Sequence, residues 1–559
     1  MNLAIDFGTS FTKIGYMLED NFINLTGKTG VPTVFAYIPE FDKLVFGHNA
    51  LQINHKDVYL FPAFKLELKR NPQFRIGSYN LYDILFDYFS FLKREYIDPN
   101  QLTPRTVSIC VPNYFGLNAR QLLIQALNHV FLDTKIYLVP EPVAALAGYT
   151  MVNKYHDLDG DILVVDIGGG TTDFSFLTIS RDTQEIIIES QLQMGQDVFS
   201  GTELDKAILN KLLIPVIAQQ TGLNFLENTD DFKYRYIYKN LLKLAEHAKI
   251  EVNEKGYAYI NEPDLNRGFS LITEITSDQV LKVVRPFFEK LKVYLEQHLK
   301  NKAQNLGIFD YKGWKLDHVI LLGGASQTRG IYEFFTEYFS PITITWALDK
   351  TLNVVKGLAI WPEIIHTPVN IKTIYPFNFY IQKYDTVTNS YILEPVGFDT
   401  SLLELDIRGK YKVLSLPVDS PYNLSTEKDL VKFLLYEVEE EVTEISIDRF
   451  MGQEIVLNLE LSNDDSYDYI DIELDLYNSQ LTALYPKDNS NIELNLDTLT
   501  FNWDRNDDWL NLINESLKAN LRMDLQKFLD NIDIKSELLL EDQLQLARFK
   551  LLVLLHNIS

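Results

Sequence analysis

Apolar and polar positions follow two different patterns along this chain, with a change near residue 370. Before it, short unbroken apolar runs (Leu3–Asp6, Val107–Val111, Ile162–Asp166, His318–Leu322) alternate with helical spacings, as in Ala119–Val130 and Thr202–Thr221. Unbroken runs of that length suit strands covered on both faces, and strands alternating with helices predict an α/β fold with mostly buried strands. After Thr373 the pattern becomes strict alternation. Ile455–Leu461 and Tyr469–Leu476 flank Ser-Asn-Asp-Asp-Ser and predict an antiparallel hairpin with one dry and one wet face, and Leu402–Ile407 and Phe433–Val438 predict further strands. The acidic run Glu437–Glu441 is expected as a solvated strand end. Near the end, Leu510, Ile513, Leu517, Leu521, Leu525 and Phe528 recur every three or four residues, the stripe of an amphipathic helix, and a second helix is expected over Ser536–His556. Three segments result: 1–367 α/β, 373–500 β-rich, and 503–559 helical.

One motif occurs twice. LAIDFGTSFTKIGYM opens the chain, and LVVDIGGGTTDFSFL returns at residue 163; in each an apolar strand ends in Asp-apolar-Gly and a run of small and hydroxyl residues. The duplication predicts two related halves, each built on its own sheet. Gly8, Thr9 and Ser10, and Gly168, Gly169, Gly170 and Thr171 in the second copy, offer backbone N–H groups and hydroxyls to phosphate oxygens. Asp6 and Asp166 end their strands, where carboxylates reach ligands at a sheet edge, and can hold Mg²⁺ between them through water. Two further elements stand out. Val139-Pro-Glu-Pro-Val sets Glu141 ahead of a small-residue helix, and His318–Gln327 is a buried strand ending in Gly323 and Gly324, against which a flat ring can lie.

The remaining composition narrows the function. The 559 residues carry a net charge of −26, of which −18 falls after residue 400, which makes the chain a poor candidate for nucleic acid or anionic membrane surfaces, and neither is expected as a partner. Cys110 is the only cysteine, so no intramolecular disulfide forms; within VSICVPNYF it is expected as a small buried hydrophobe rather than a reactive thiol. A strand motif at residue 3 and the lack of a span-length apolar run lead to the expectation of a cytoplasmic, non-membrane protein.

IDFGTSFTKIGY, VPNYFGLNARQ, VPEPVAALAGY, VVDIGGGTTDFSFL, AEHAKIEV and ILLGGASQTRGI occur in an order that resembles the actin-like ATPase superfamily, and most closely the seventy-kilodalton heat-shock chaperones, as a divergent bacterial-type member. The resemblance covers about the first 360 residues. It implies an ATPase domain of two ribonuclease-H-like lobes, followed by a small β-rich domain and a short helical lid-like segment. It implies slow Mg-dependent ATP hydrolysis with ATP/ADP and Mg²⁺ as cofactors, coupled to a peptide or client protein and served by co-chaperones. A nucleotide-dependent switch with little turnover is the alternative, and an actin-like filament protein a third. By the same resemblance, Asp6, Asp166 and Asp173 organise the hydrated metal and attacking water, Glu141 orients the metal shell, and Thr9, Ser10, Phe11 and Gly168–Thr171 hold the phosphates. Glu246, Lys249 and Asn253 match the helix flanking adenosine, and Gly323, Gly324 and Gln327 the loop on its other side. The family's catalytic lysine falls in LFPAFKLELKRN, where Lys65 is chosen over Lys69 and Arg70, with a surface basic patch as the competing reading. The family's short aliphatic linker ending in Asp has no counterpart in PEIIHTPVNIKTIY, residues 362–375.

Overall fold

The computed structural model describes residues 1–497, apart from short gaps (28, 54–57, 72–73, 113–114, 154–158, 182–185, 197–198, 222–231, 264–269, 348–350) and most connections between strands after 366. Two compact units divide the chain, Met1–Leu499 and Thr500–Ser559. The second, with the expected helices at 510–528 and 536–556, lies outside the described residues.

The duplication seen in the sequence recurs in the topology. In the first sheet Asn2–Phe7 pairs antiparallel with Phe11–Leu18, which pairs with Asn21–Asn24; on its other side Asn2–Phe7 runs parallel to Thr106–Val111, and that strand parallel to Lys135–Pro140. The second sheet repeats this order with Gly160–Ile167, Thr172–Arg181, Ile186–Gln196, His318–Leu322 and Thr343–Trp346. Register is equivalent as well: Asp6 lies opposite Lys13, and Asp166 opposite Asp173. The strands are buried on both faces, as their apolar runs require.

Between the sheets run two helices, Glu141–Asn153 and Asn353–Ala359, each following an edge strand of its sheet, Lys135–Pro140 and Thr343–Trp346. They share one core with inward residues of both sheets, Ala4 and Cys110 from the first and Ile162, Val164, Ile320 and Leu322 from the second. Their backbones touch. A Cβ on Gly148 would meet the Asn353 carbonyl oxygen at 1.8 Å, and one on Gly357 the Ala144 carbonyl oxygen at 1.9 Å. No side chain fits there, so the separation of the two sheets is set by main chain against main chain. Strand periodicity then aims the chemistry: Asp6 falls on the face of Ala4, and Asp166 on the face of Ile162 and Val164, so both carboxylates sit at strand ends on the shared side.

The β-rich region forms two sheets. Ser390–Pro395, Asn378–Asp385, Leu430–Val438, Gln453–Glu460 and Leu496–Asp497 make one; Lys410–Pro417, Tyr469–Asp475, Gln480–Lys487 and Ser490–Leu494 make the other. Alternation holds in Tyr469–Asp475, whose Ile470, Ile472 and Leu474 are fully buried. The expected hairpin does not form: Gln453–Glu460 pairs with Leu430–Val438, while Tyr469–Asp475 pairs with Lys410–Pro417 and Gln480–Lys487. Alternation identifies a half-buried strand but not its neighbour. Of the expected strand Leu402–Ile407, Leu405–Asp406 is described, and it pairs with Val369–Thr373. Val369–Thr373, within the stretch that lacks the family's short aliphatic linker, adds a parallel strand to the second lobe's sheet. Glu437 is not solvated; it is buried at 3% exposure.

Replacing Gly357 by Ala is expected to destabilise the fold by about 3 kcal/mol or more, because both contacting atoms are backbone. Thermal unfolding measures this; an unchanged midpoint would mean the helices do not cross at that glycine.

Candidate functional site

The two glycine loops meet tip to tip. A Cβ on Gly169 would fall 2.1 Å from the Ser10 hydroxyl, and one on Gly170 2.6 Å from a Thr9 methyl. A third loop joins them: Gly323, at φ +79, lies where a Cβ would come within 2.3 Å of an Asp166 carboxylate oxygen. Each approach requires glycine, which explains why glycines cluster at these strand ends and nowhere else so densely. The first loop is held from behind by a chain of hydroxyls. Tyr88 donates to Thr12 (2.7 Å), Thr12 and Thr33 share a hydrogen bond (3.0 Å), and Thr33 donates to the Gly8 carbonyl (2.8 Å). The second is held by the start of helix Gly201–Ile208, where the Gly201 and Thr202 amides donate to the Gly168 and Gly169 carbonyls at 2.9 and 2.8 Å.

Beneath the loops lies an acidic centre. Asp6 accepts from Lys13 Nζ at 3.3 Å and from the Cys110 thiol at 3.4 Å. Glu141 pairs with Lys65 Nζ at 3.8 Å. Asp173 accepts from the Thr171 hydroxyl at 2.9 Å, while its other oxygen is buried without a hydrogen-bond partner. Four carboxylates thus face two ammonium groups, and the electrostatics register the surplus. Burial, then the charges of Glu141, Asp173 and Asp6, push Asp166 up to about 8. Burial and Glu141 push Asp173 up to about 7 against the opposing pull of Thr171 and Lys65. Glu141 is also raised, by burial ahead of Asp6, with Lys65 opposing. Burial pulls the Lys65 ammonium down, but Glu141, Asp6 and Asp173 outweigh it and hold the group above its usual range.

Lys65 is 2% exposed, so it does not belong to a surface basic patch; Lys69 is exposed. Its position depends on Phe64, whose ring packs against Phe7, Phe35 and Tyr88 at centroid distances of 5.9, 5.5 and 5.1 Å. Ala63, just before, takes the left-handed conformation at φ +56, a strain for a residue with a Cβ that the buried ring maintains. Lys65 Nζ then lies 5.7 Å over both Phe7 and Phe115.

The outer residues are placed unevenly. Lys249 is buried, paired with Asp205 at 2.7 Å and donating to the Gly201 carbonyl at 3.2 Å, which links it to the second loop. Glu246 is half-buried one turn earlier and raises Asp205, behind burial as the main cause. Asn253 lies a turn beyond, its side-chain oxygen buried without a partner. Gln327 ends the short turn Gly324–Gln327, and Ala325 in that turn comes within 3.4 Å of a Cβ on Gly201. Two neighbours were not identified as site residues from sequence. Lys13 became visible only through the register that sets it opposite Asp6, and Cys110 is buried as expected but aims its thiol at Asp6.

A family model described as Hsp70 protein matches residues 100–394, more than half of the chain. The chain belongs to the Hsp70 family. Among curated Hsp70-type relatives, it is 28% identical over 257 residues to the chaperone protein HscA homolog of Methylococcus capsulatus, covering 46% of this chain and 37% of that protein. It is 29% identical over 235 residues to the mitochondrial heat shock 70 kDa protein of Pisum sativum, covering 41% and 31%. It is 28% identical over 256 residues to the chaperone protein DnaK of Methanothermobacter thermautotrophicus, covering 45% and 39%. The aligned part thus spans between 31% and 39% of these relatives' own length, and the low identity marks a divergent member. Among the described residues, no helix is long and apolar enough to cross a membrane.

The donor set fits the hydrated magnesium expected for an Hsp70 site: all-oxygen carboxylates, surplus negative charge and an unpartnered Asp173 oxygen. The same surplus predicts a pH dependence of the free protein. Unfolded, Asp166 ionises near 3.8; folded, it keeps its proton until about 8. The folded state binds more protons across that window, so stability is greatest at its acid end and is lost as pH rises. The unfolding midpoint is expected to fall from about pH 6 to about pH 8, less steeply in Asp166→Asn and less steeply with magnesium. A midpoint that rises over this range would contradict the charge assignment.

Proposed function

We propose that this Hsp70-family chain binds and hydrolyses ATP with Mg²⁺, and that its nucleotide state governs a peptide or partner protein held by the β-rich region. The observation that carries this reading is the meeting of Ser10 and Thr9 with Gly169 and Gly170 directly above Asp6, Glu141, Asp166 and Asp173. The N–H groups of Gly8 and Gly168 close their own turns, donating to the Asp6 and Thr171 carbonyls at 3.0 and 2.9 Å, and the loop residues that follow them, Thr9–Phe11 and Gly169–Thr171, face the phosphates. Asp6 and Asp166 hold the hydrated metal, which when bound supplies charge neutralisation to the phosphates, and Glu141 orients its water shell. Asp173, with a free oxygen and an affinity for protons near neutrality, takes the proton of the attacking water. Lys65 balances charge developing on the transferred phosphoryl group, fixed by its two flanking rings. Glu246, Lys249 and Asn253 flank adenosine on one side, and Gly323, Gly324 and Gln327 on the other.

Support for coupling comes from Glu437. Its carboxylate oxygens accept the Leu117 N–H at 2.9 and 3.2 Å, at the start of helix Leu117–Val130. A negative charge there is favoured by the helix's free N–H groups. Two residues upstream is Phe115, whose carbonyl accepts from Arg120 at 2.7 Å and whose ring lies under Lys65. A strand of the β-rich region therefore reaches the catalytic lysine through one helix end. The alternative reading, a switch with little turnover, draws on Val369–Thr373, which is tied into the lobe's sheet in the stretch where the family's linker has no counterpart.

Lys65→Ala is expected to bind Mg·ATP but to lose at least about a hundredfold in single-turnover rate; wild-type turnover would remove Lys65 from the chemistry. In the intact protein, unfolded peptide is expected to stimulate hydrolysis, and Glu437→Ala to abolish the stimulation while sparing the basal rate. Tight nucleotide binding with no turnover would favour the switch.

A further inference from the structure

Three ligand atoms of different character converge in the acidic centre. The Cys110 sulfur and one oxygen each from Asp6 and Glu141 all lie within 4.8 Å of one another. Cys110 and Asp6 are buried, at 0% and 5% exposure. The separation already found between the Cys110 sulfur and Asp6 Oδ1, 3.4 Å, is close to the edge of a tetrahedral zinc shell, about 3.6 Å from sulfur to oxygen. Beside these three, Asp173 keeps one oxygen buried without a hydrogen-bond partner, and Glu141 is the largest charge acting on it.

Magnesium makes no use of the sulfur. It prefers oxygen and keeps its waters, whereas thiolates select softer ions. We propose that Asp6, Cys110 and Glu141 form a three-ligand site for one thiophilic divalent cation, zinc or cadmium, with the fourth position left to water. On binding, the sulfur–metal bond forms as the thiol proton leaves to solvent; no electrons are exchanged. The two positive charges offset Asp6 and Glu141 and take Glu141 from Lys65, now 3.8 Å away. Such an ion acts as a brake on the same centre. The braking consequence rests on the ATPase reading above, while the binding itself does not.

Cys110 is the only cysteine, so any thiolate signal belongs to it. Cadmium chloride titrated into the full chain without nucleotide is expected to give one equivalent of binding, with the thiolate-to-cadmium absorption in the ultraviolet. Cys110→Ser removes the absorption. Glu141→Gln and Asp6→Asn keep it but weaken cadmium at least tenfold, with folding checked by circular dichroism. No absorption from the folded wild-type protein overturns the site. So does an affinity unchanged in Glu141→Gln, which would describe a cysteine binding cadmium alone. Cadmium absorption without loss of Mg·ATP turnover would leave the metal site standing and overturn the brake, whereas no Mg·ATP turnover in the cadmium-free protein would count against the ATPase reading alone.

Discussion

The contact on which everything else rests is backbone against backbone, where Glu141–Asn153 crosses Asn353–Ala359 at Gly148 and Gly357. Each helix follows an edge strand of its own sheet, so their crossing fixes how the two sheets face each other. A side chain at either glycine would push the sheets apart and separate the strand ends that carry Asp6 and Asp166. Glu141 is the first residue of one of these helices, so the crossing also positions a member of the acidic centre. Packing and chemistry are set by one element.

Given that frame, the centre is held in a costly electrostatic state. Carboxylates outnumber ammonium groups, and two of them keep protons to about 7 and about 8. Folded without a cation, the site opposes its own charge; a divalent ion relieves it. Binding energy available from that relief favours closure of the loops around a charged ligand. Lys65 and Lys13 are the fixed part of the compensation, and each is held by a different device: an aromatic cluster for the first, hairpin register for the second.

The α/β class and the equivalence of the two halves were legible because each glycine loop follows an unbroken apolar strand, and that pattern has few other outcomes. Asp6 and Asp166 stood out by their places at the ends of the two repeated strands, whereas Glu141, alone readable as a helix-start acid, drew its role from the family resemblance. Lys65 could not be separated from Lys69 by sequence, since burial is set by Phe64 meeting Phe7, Phe35 and Tyr88, residues far apart in the chain. The β-rich region was legible strand by strand but not in its pairing, because alternation leaves the partner open. Glu437 read as solvent-facing within an acidic run; its burial depends on a helix end more than 300 residues away.

Isothermal calorimetry of the wild-type chain with ADP and ATP, with and without magnesium, tests the central claim most directly. The account predicts one site per chain, with affinity that falls at least tenfold when magnesium is withheld. No heat with any adenine nucleotide, or binding indifferent to magnesium, would contradict it.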